Sequence, residues 1–249
     1  MIEVKEAVKT RYTLIDILRG IAIICMVYYH GVWDLENVFG VDIGWFGTQV
    51  GVIFQRSIRW TFILLSGFCW PMGRKMLQRG LVVFACGWVI TLVTAIFMPN
   101  GMILFGVLSL LGSAMLLTVP MDKLLRRLQP WAGLAVCIVL FLLTKDVQSG
   151  ILAFRVELPD WLYANAFTAY LGFPKFGFYS SDYVPLLPWL FAYWMGYYAY
   201  RIMEKHDWLF LLTKLRFKPL EWVGRHSLEI YMLHQPIVYG ILYIVFLFV

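Results

Sequence analysis

Seven apolar stretches follow one another along this chain, at roughly 14–33, 50–71, 80–98, 102–120, 131–144, 185–203 and 222–248. Most approach the length needed to cross a bilayer as a helix, and short polar segments join most of them. A chain so patterned has few options, because hydrocarbon offers the backbone no hydrogen-bond partners and admits only helices or closed barrels. Hydrophobic residues make up 61% of the 249 and charged ones 14%, far from the balance of a soluble domain. The prediction is an all-α polytopic bundle of about seven spans, or eight if a short segment near 161–172 enters the membrane. A single membrane-embedded domain is expected over 1–249. The charged Met1–Tyr12 segment and the length of the first run argue against a cleaved signal peptide.

The net charge of +6 does not indicate nucleic acid, because the cations cluster in loops beside the spans. Lys5, Lys9 and Arg11 precede the first span; Arg74, Lys75 and Arg79 follow the second; Lys123, Arg126 and Arg127 follow the fourth. Lys205, Lys214, Arg216 and Lys218 lie between the sixth and seventh. Pro99-Asn100-Gly101 makes a tight turn between the third and fourth, so all four clusters fall on one side. The positive-inside rule makes that side cytoplasmic, which puts the N-terminus inside and the C-terminus outside a plasma membrane. The outer connection at about 145–184 is rich in aromatic residues and reads either as an interfacial helix or as a lid over an acceptor. Cys25, Cys69, Cys86 and Cys137 sit within apolar runs and read as small buried hydrophobes.

Ionisable residues inside the spans mark the candidate site, since each is costly in hydrocarbon unless it is paired or faces a polar cavity. Arg19 and His30 are eleven residues apart, which sets them on one helix face and about 16 Å apart along the axis. That spacing suits a long anionic ligand with its reactive end at His30. Asp34, one turn beyond, is placed to orient His30 as a general base, or else the two cap a helix end. Arg19 also reads as a snorkelling arginine paired with Asp16. Arg56 and Arg59 in the second span either bind an acceptor or neutralise Asp34 or Asp182. Arg74 and Arg79 serve topology first and phosphate binding second. In the last stretch Ser227 and His234 share a face, and Arg225 and Glu229 can pair. Neither a metal motif nor a nucleotide loop is present in the sequence.

Arg19 to His30 matches the Arg-x10-His signature of membrane acyltransferases, and Leu65-Ser66-Gly67-Phe68 is similar to the Ser-Gly-Phe that follows it. More closely, the chain resembles bacterial proteins grouped with the catalytic domain of heparan-alpha-glucosaminide N-acetyltransferase. The resemblance is carried by Asp16–Gly20, Phe105–Leu108, Asp182–Trp189 and Gly224–Pro236. It implies transfer of an acyl group, usually acetyl, from acetyl-CoA to an acceptor across the membrane, without a metal. Carried over, Arg19 would hold the CoA phosphate end, and His30 would be the catalytic residue. On the residues alone, Arg74, Arg79, Arg225 and Ser227 are candidates for further cofactor ligands. Asp34 is placed to orient His30, and His234 or a nearby arginine to stabilise the oxyanion. Arg56, Arg59, Asp182 and Trp189 would face the acceptor, expected to be a sugar or glycan amine or hydroxyl. The expected partners are membrane lipid, acetyl-CoA and that acceptor, and a homodimer is allowed. The rival reading is a small-solute transporter that uses the same buried polar residues as its path.

Overall fold

The structure is a computed structural model that describes residues 11–248; Lys5 and Lys9 of the first basic cluster lie outside the described residues. Its helices are α1 (Thr13–Asn37), α2 (Gln49–Cys69), α3 (Met76–Phe97), α4 (Val107–Leu125) and α5 (Pro130–Thr144). They continue as α6 (Ala166–Leu171), α7 (Leu186–Lys205), α8 (Lys218–Arg225) and α9 (Ser227–Phe246). The fold is helical, and the chain is a multi-pass membrane protein. Among the described residues five helices are long and apolar enough to cross a bilayer: α1, α3, α4, α5 extended to Ser149, and α9. The other two predicted spans correspond to α2 and α7, helices of 21 and 20 residues. Arg56 and Arg59 in α2 and the many tyrosines and tryptophans in α7 make them less apolar.

The last predicted span is broken. Lys218–Arg225 forms a short helix, His226 departs from helical geometry, and α9 begins at Ser227. The break separates Arg225 from Glu229, and Arg225 instead donates from Nε to the Glu221 carbonyl at 3.1 Å. The 161–172 segment is a 3-10 turn at Asp160–Tyr163 followed by the six-residue α6, which Asn165 and Thr168 cap reciprocally. Ahead of it lies a two-stranded antiparallel hairpin, β1 (Ile151–Leu152) with β2 (Val156–Glu157), that the apolar pattern does not announce.

The chain forms two compact units, one of residues 11–58 with 203–248 and one of 59–202. In the first, α1 packs against α8 and α9. Gly20 and Gly224 sit backbone against backbone: a Cβ on Gly224 would overlap the Asp16 carbonyl, and one on Gly20 would overlap that of Leu220. In the second unit α3 and α4 form a hairpin closed by a turn at Pro99–Gly101. Gly87 lies against Ser109 and Gly112 against Phe84, so the two backbones approach closely. Gly67 of α2 and Gly196 of α7 interlock, each against a backbone carbonyl of the other helix. Helix α7 is then tied to α4 by three hydrogen bonds. Trp194 Nε1 donates to Thr118 Oγ1 at 3.0 Å, Tyr197 OH to Asp122 at 2.7 Å and Tyr198 OH to the Leu125 carbonyl at 3.0 Å.

These contacts separate two kinds of glycine. Gly196→Leu has no room and is expected to destabilise the protein by about 3 kcal/mol or more. Gly240→Ala in α9 meets nothing within 4 Å and is expected to be neutral or stabilising by up to about 1 kcal/mol. Melting temperatures in detergent check both.

Candidate active site

Helix α1 has two chemically distinct faces. Leu18, Ile21, Ile24 and Tyr28 are exposed. At about 100° per residue, Arg19, His30 and Asp34 lie on the opposite side of the helix. The ionisable stripe is therefore turned away from the apolar surface, as the cost of placing it in hydrocarbon requires. Arg19 and His30 are half-buried and Asp34 is fully buried.

Along this side α9 supplies the facing groups. The His30 and His234 rings lie 4.9 Å apart between centroids at 55°. Gln235 Nε2 donates to Asp34 Oδ1 at 2.8 Å. Gly31, between His30 and Asp34, lies against Val238, and further along Phe39 stacks on Phe246 with centroids 4.6 Å apart. Residue numbers rise together on both helices, so α1 and α9 run parallel. The carboxylate that sequence spacing directs toward His30 accepts a hydrogen bond from Gln235.

The backbone sets the tautomer of His234. Its Nδ1 lies 2.7 Å from the Tyr231 carbonyl oxygen, and a carbonyl only accepts, so Nδ1 carries the hydrogen. Nε2 of the neutral ring then has an open lone pair, and it is buried without a hydrogen-bond partner. Asp34 Oδ2 and Gln235 Oε1 are also buried and unpartnered. A carboxylate only accepts, so the Gln235 amide must turn its NH2 toward it and leave Oε1 as an acceptor. The seam thus presents three unsatisfied acceptors, one of them on an imidazole that faces the His30 ring, a set suited to receiving and passing protons.

The other end of α1 is basic. Asp16 is bound by Arg11, with Nε and Nη2 both 2.8 Å from Oδ2. It is therefore Arg11, not Arg19, that pairs with Asp16, and Arg19 makes no ion pair among the described residues. Against this end α8 is held by the Gly20–Gly224 contact, with Glu221 buried and accepting the Phe217 N–H at 3.1 Å. Arg225 is exposed next to Gly224, and Ser227 is half-buried at the start of α9. Arg74 and Arg79 are exposed at the start of α3 in the second unit.

Of the residues assigned to the acceptor, three meet in the second unit. Arg59 Nη2 lies 3.5 Å from Asp182 Oδ1, and its guanidinium sits 5.7 Å from the Trp189 ring centroid. Trp189 packs edge-on to Trp60 and Phe141. Asp182 lies beside Gly106, where the start of α4 favours a negative charge. Arg56 is exposed in the first unit. The segment carrying Asp182 is pinned to the turn before α4: Ser180 Oγ accepts the Leu104 N–H at 3.0 Å, and the Val184 N–H donates to Phe105 at 2.9 Å. Two of the stretches that carry the resemblance therefore meet. Tyr170 hydrogen-bonds Ser113, and burial pushes its hydroxyl pKa up, so it remains protonated. Together with Phe84, Trp88, Phe105 and Phe167 it lines an apolar cavity of about 300 Å³.

The importance of Gln235 is the feature least visible in the sequence. Its signal is the polar His234-Gln235 pair within an apolar run, which must face an interior partner. No group of three His, Cys, Asp or Glu residues able to hold a metal occurs among the described residues.

Residues 11–236 match a family model described as "Heparan-alpha-glucosaminide N-acetyltransferase, catalytic", and the chain belongs to this family. That makes it a membrane acetyltransferase in general terms. No curated protein and no solved structure gives a significant match.

Gln235→Leu would leave the buried Asp34 carboxylate without its hydrogen bond, at an expected cost of about 1–3 kcal/mol. Adding Asp34→Leu should recover much of that loss. A double-mutant cycle on melting temperature checks the coupling, and simple additivity would refute it.

Proposed function

We propose that the protein transfers an acetyl group from cytosolic acetyl-CoA to an acceptor at the opposite face of the membrane. The acceptor is a sugar or glycan amine or hydroxyl, and residues 1–249 act as one membrane-embedded domain in a plasma membrane. The observation that carries this reading is the polarity of α1. One helix face bears, at its basic end, a half-buried arginine that makes no ion pair among the described residues and, about 16 Å further on, a pair of imidazoles. An extended phosphate-bearing thioester matches that layout.

The cofactor phosphates are held at Arg19, with Arg225 and Ser227 of the same unit as further ligands, and the pantetheine arm runs toward His30. His30 takes the proton of the acceptor nucleophile as its oxygen or nitrogen attacks the thioester carbonyl. His234, with the Nε2 lone pair uncommitted, shares that proton, and the imidazolium so formed faces the tetrahedral oxyanion. The carbon–sulfur bond then breaks, and the CoA thiolate takes up the proton. Asp34 acts in this reading as a buried negative charge that favours the protonated imidazole. The parallel run of α1 and α9 supports termini on opposite membrane faces, with the N-terminus cytoplasmic by the positive-inside rule.

His30→Ala is expected to fold, to be stabilised thermally by acetyl-CoA and to lose transfer by a factor of about 10² or more. Arg19→Ala is expected to weaken acetyl-CoA binding about tenfold, with a smaller loss for a truncated pantetheine thioester that lacks the nucleotide phosphates. Parent-rate transfer by His30→Ala overturns the catalytic assignment, and equal losses on both donors overturn the phosphate assignment.

A further inference from the structure

The segment 205–225 has a composition that neither a membrane span nor the proposed reaction accounts for. Besides Arg225, already assigned to the cofactor, it carries Lys205, Lys214, Arg216 and Lys218 against only Asp207 and Glu221. Glu221 is buried and spent on the Phe217 N–H, so it does not offset the outward charge. Between the cations stand Trp208, Phe210, Leu211, Leu215, Phe217 and Trp222, each at least 40% exposed. The Lys214 ammonium lies 4.9 Å from the Phe210 ring centroid, so cation and ring project together. The backbone is a 3-10 helix over Trp208–Thr213 and then α8, eight residues long. Neither is long enough to span a bilayer.

Large rings exposed among cations describe a segment that lies in the plane of the interface. Its rings enter the acyl boundary and its cations meet anionic headgroups. The segment is also held in place from behind. Leu212 is buried, Thr13 Oγ1 donates to the Leu215 carbonyl, and Gly224 is pressed onto α1. The exposed side is thus presented by a fixed backbone.

We propose that segment 205–225 is a binding surface for anionic phospholipid, in which Lys214, Arg216 and Lys218 take the headgroup phosphates and the neighbouring rings take the upper acyl chains. Zwitterionic lipid satisfies the rings but leaves the excess positive charge unmatched, so the surface discriminates by charge.

The test uses the full-length protein in nanodiscs of phosphatidylcholine, with or without phosphatidylglycerol. Melting temperature and native mass spectrometry of retained lipid are the readouts. Phosphatidylglycerol is expected to raise the melting temperature and to be retained in preference, and this advantage is expected to shrink as salt is raised. The triple variant Lys214→Gln, Arg216→Gln, Lys218→Gln is expected to lower the preference on the order of tenfold or more. The control triple Lys123→Gln, Arg126→Gln, Arg127→Gln is expected to keep it. Glycerol phosphate added to phosphatidylcholine discs is expected to do nothing, which separates a lipid surface from a free-phosphate site. Equal melting of the parent protein in both lipids overturns the proposal. So does a preference insensitive to salt, retention of the preference in the first triple variant, or full replacement of lipid by glycerol phosphate.

Discussion

A buried carboxylate in a membrane helix has to be matched by a neighbour, and the hydrogen bond between Gln235 and Asp34 supplies that match. Other features of the first unit follow from it. The bond fixes which faces of α1 and α9 meet and so brings the His30 and His234 rings to 4.9 Å. Because both helices run the same way, each further turn of α1 finds the next turn of α9. The aromatic contacts of Phe39 with Tyr239 and Phe246 extend the same seam past the end of α1. In hydrocarbon a helix pair gains little from apolar burial, so polar matching and close backbone approach decide the register. The polar match is here Asp34 with Gln235, and the close approach is Gly20 with Gly224.

The same division recurs in the second unit with different chemistry. Gly67 and Gly196 let α2 and α7 touch, and hydroxyls and an indole then tie α7 to α4. Arg59 and Asp182 neutralise each other there. Each unit therefore combines glycine contacts that set distance with one charged or polar pair that sets orientation. The pair that includes Asp34 differs from that of Arg59 in one respect: it leaves acceptors open. Unsatisfied acceptors at buried positions are a standing cost, and they persist where a bound group completes them.

Much of this was legible in the residues. Hydropathy located the helices, Pro99-Asn100-Gly101 announced the α3–α4 turn, and Arg59 with Asp182 was one of the pairings the spacing allowed. Errors came where a local rule met a tertiary alternative. Asp16 stands three residues before Arg19, yet Arg11 reaches it instead. Asp34 accepts a hydrogen bond from Gln235, about two hundred residues away, which no local spacing announces. The last span reads as one apolar helix, but Gly224 must press onto Asp16 and Gly20, and α8 crosses α1 before α9 sets out beside it. Periodicity registers which residues share a face of one helix; it carries nothing about which helix will face it.

The open lone pair of His234 bears on how two imidazoles divide a task. A histidine whose Nδ1 hydrogen is committed to a backbone carbonyl cannot switch tautomer without losing that bond, so its Nε2 is a permanent acceptor while the ring is neutral. It can take a proton but, before doing so, has none to give. A neutral His30 is required if it is to accept a proton from a nucleophile, and a partner that is itself an acceptor does not compete for that lone pair. Once protonated, the pair can hold the proton between two rings 4.9 Å apart beside the Asp34 carboxylate. The fixed tautomer leaves Nε2 as the open acceptor of the His234 ring, and one main-chain oxygen at Tyr231 sets it.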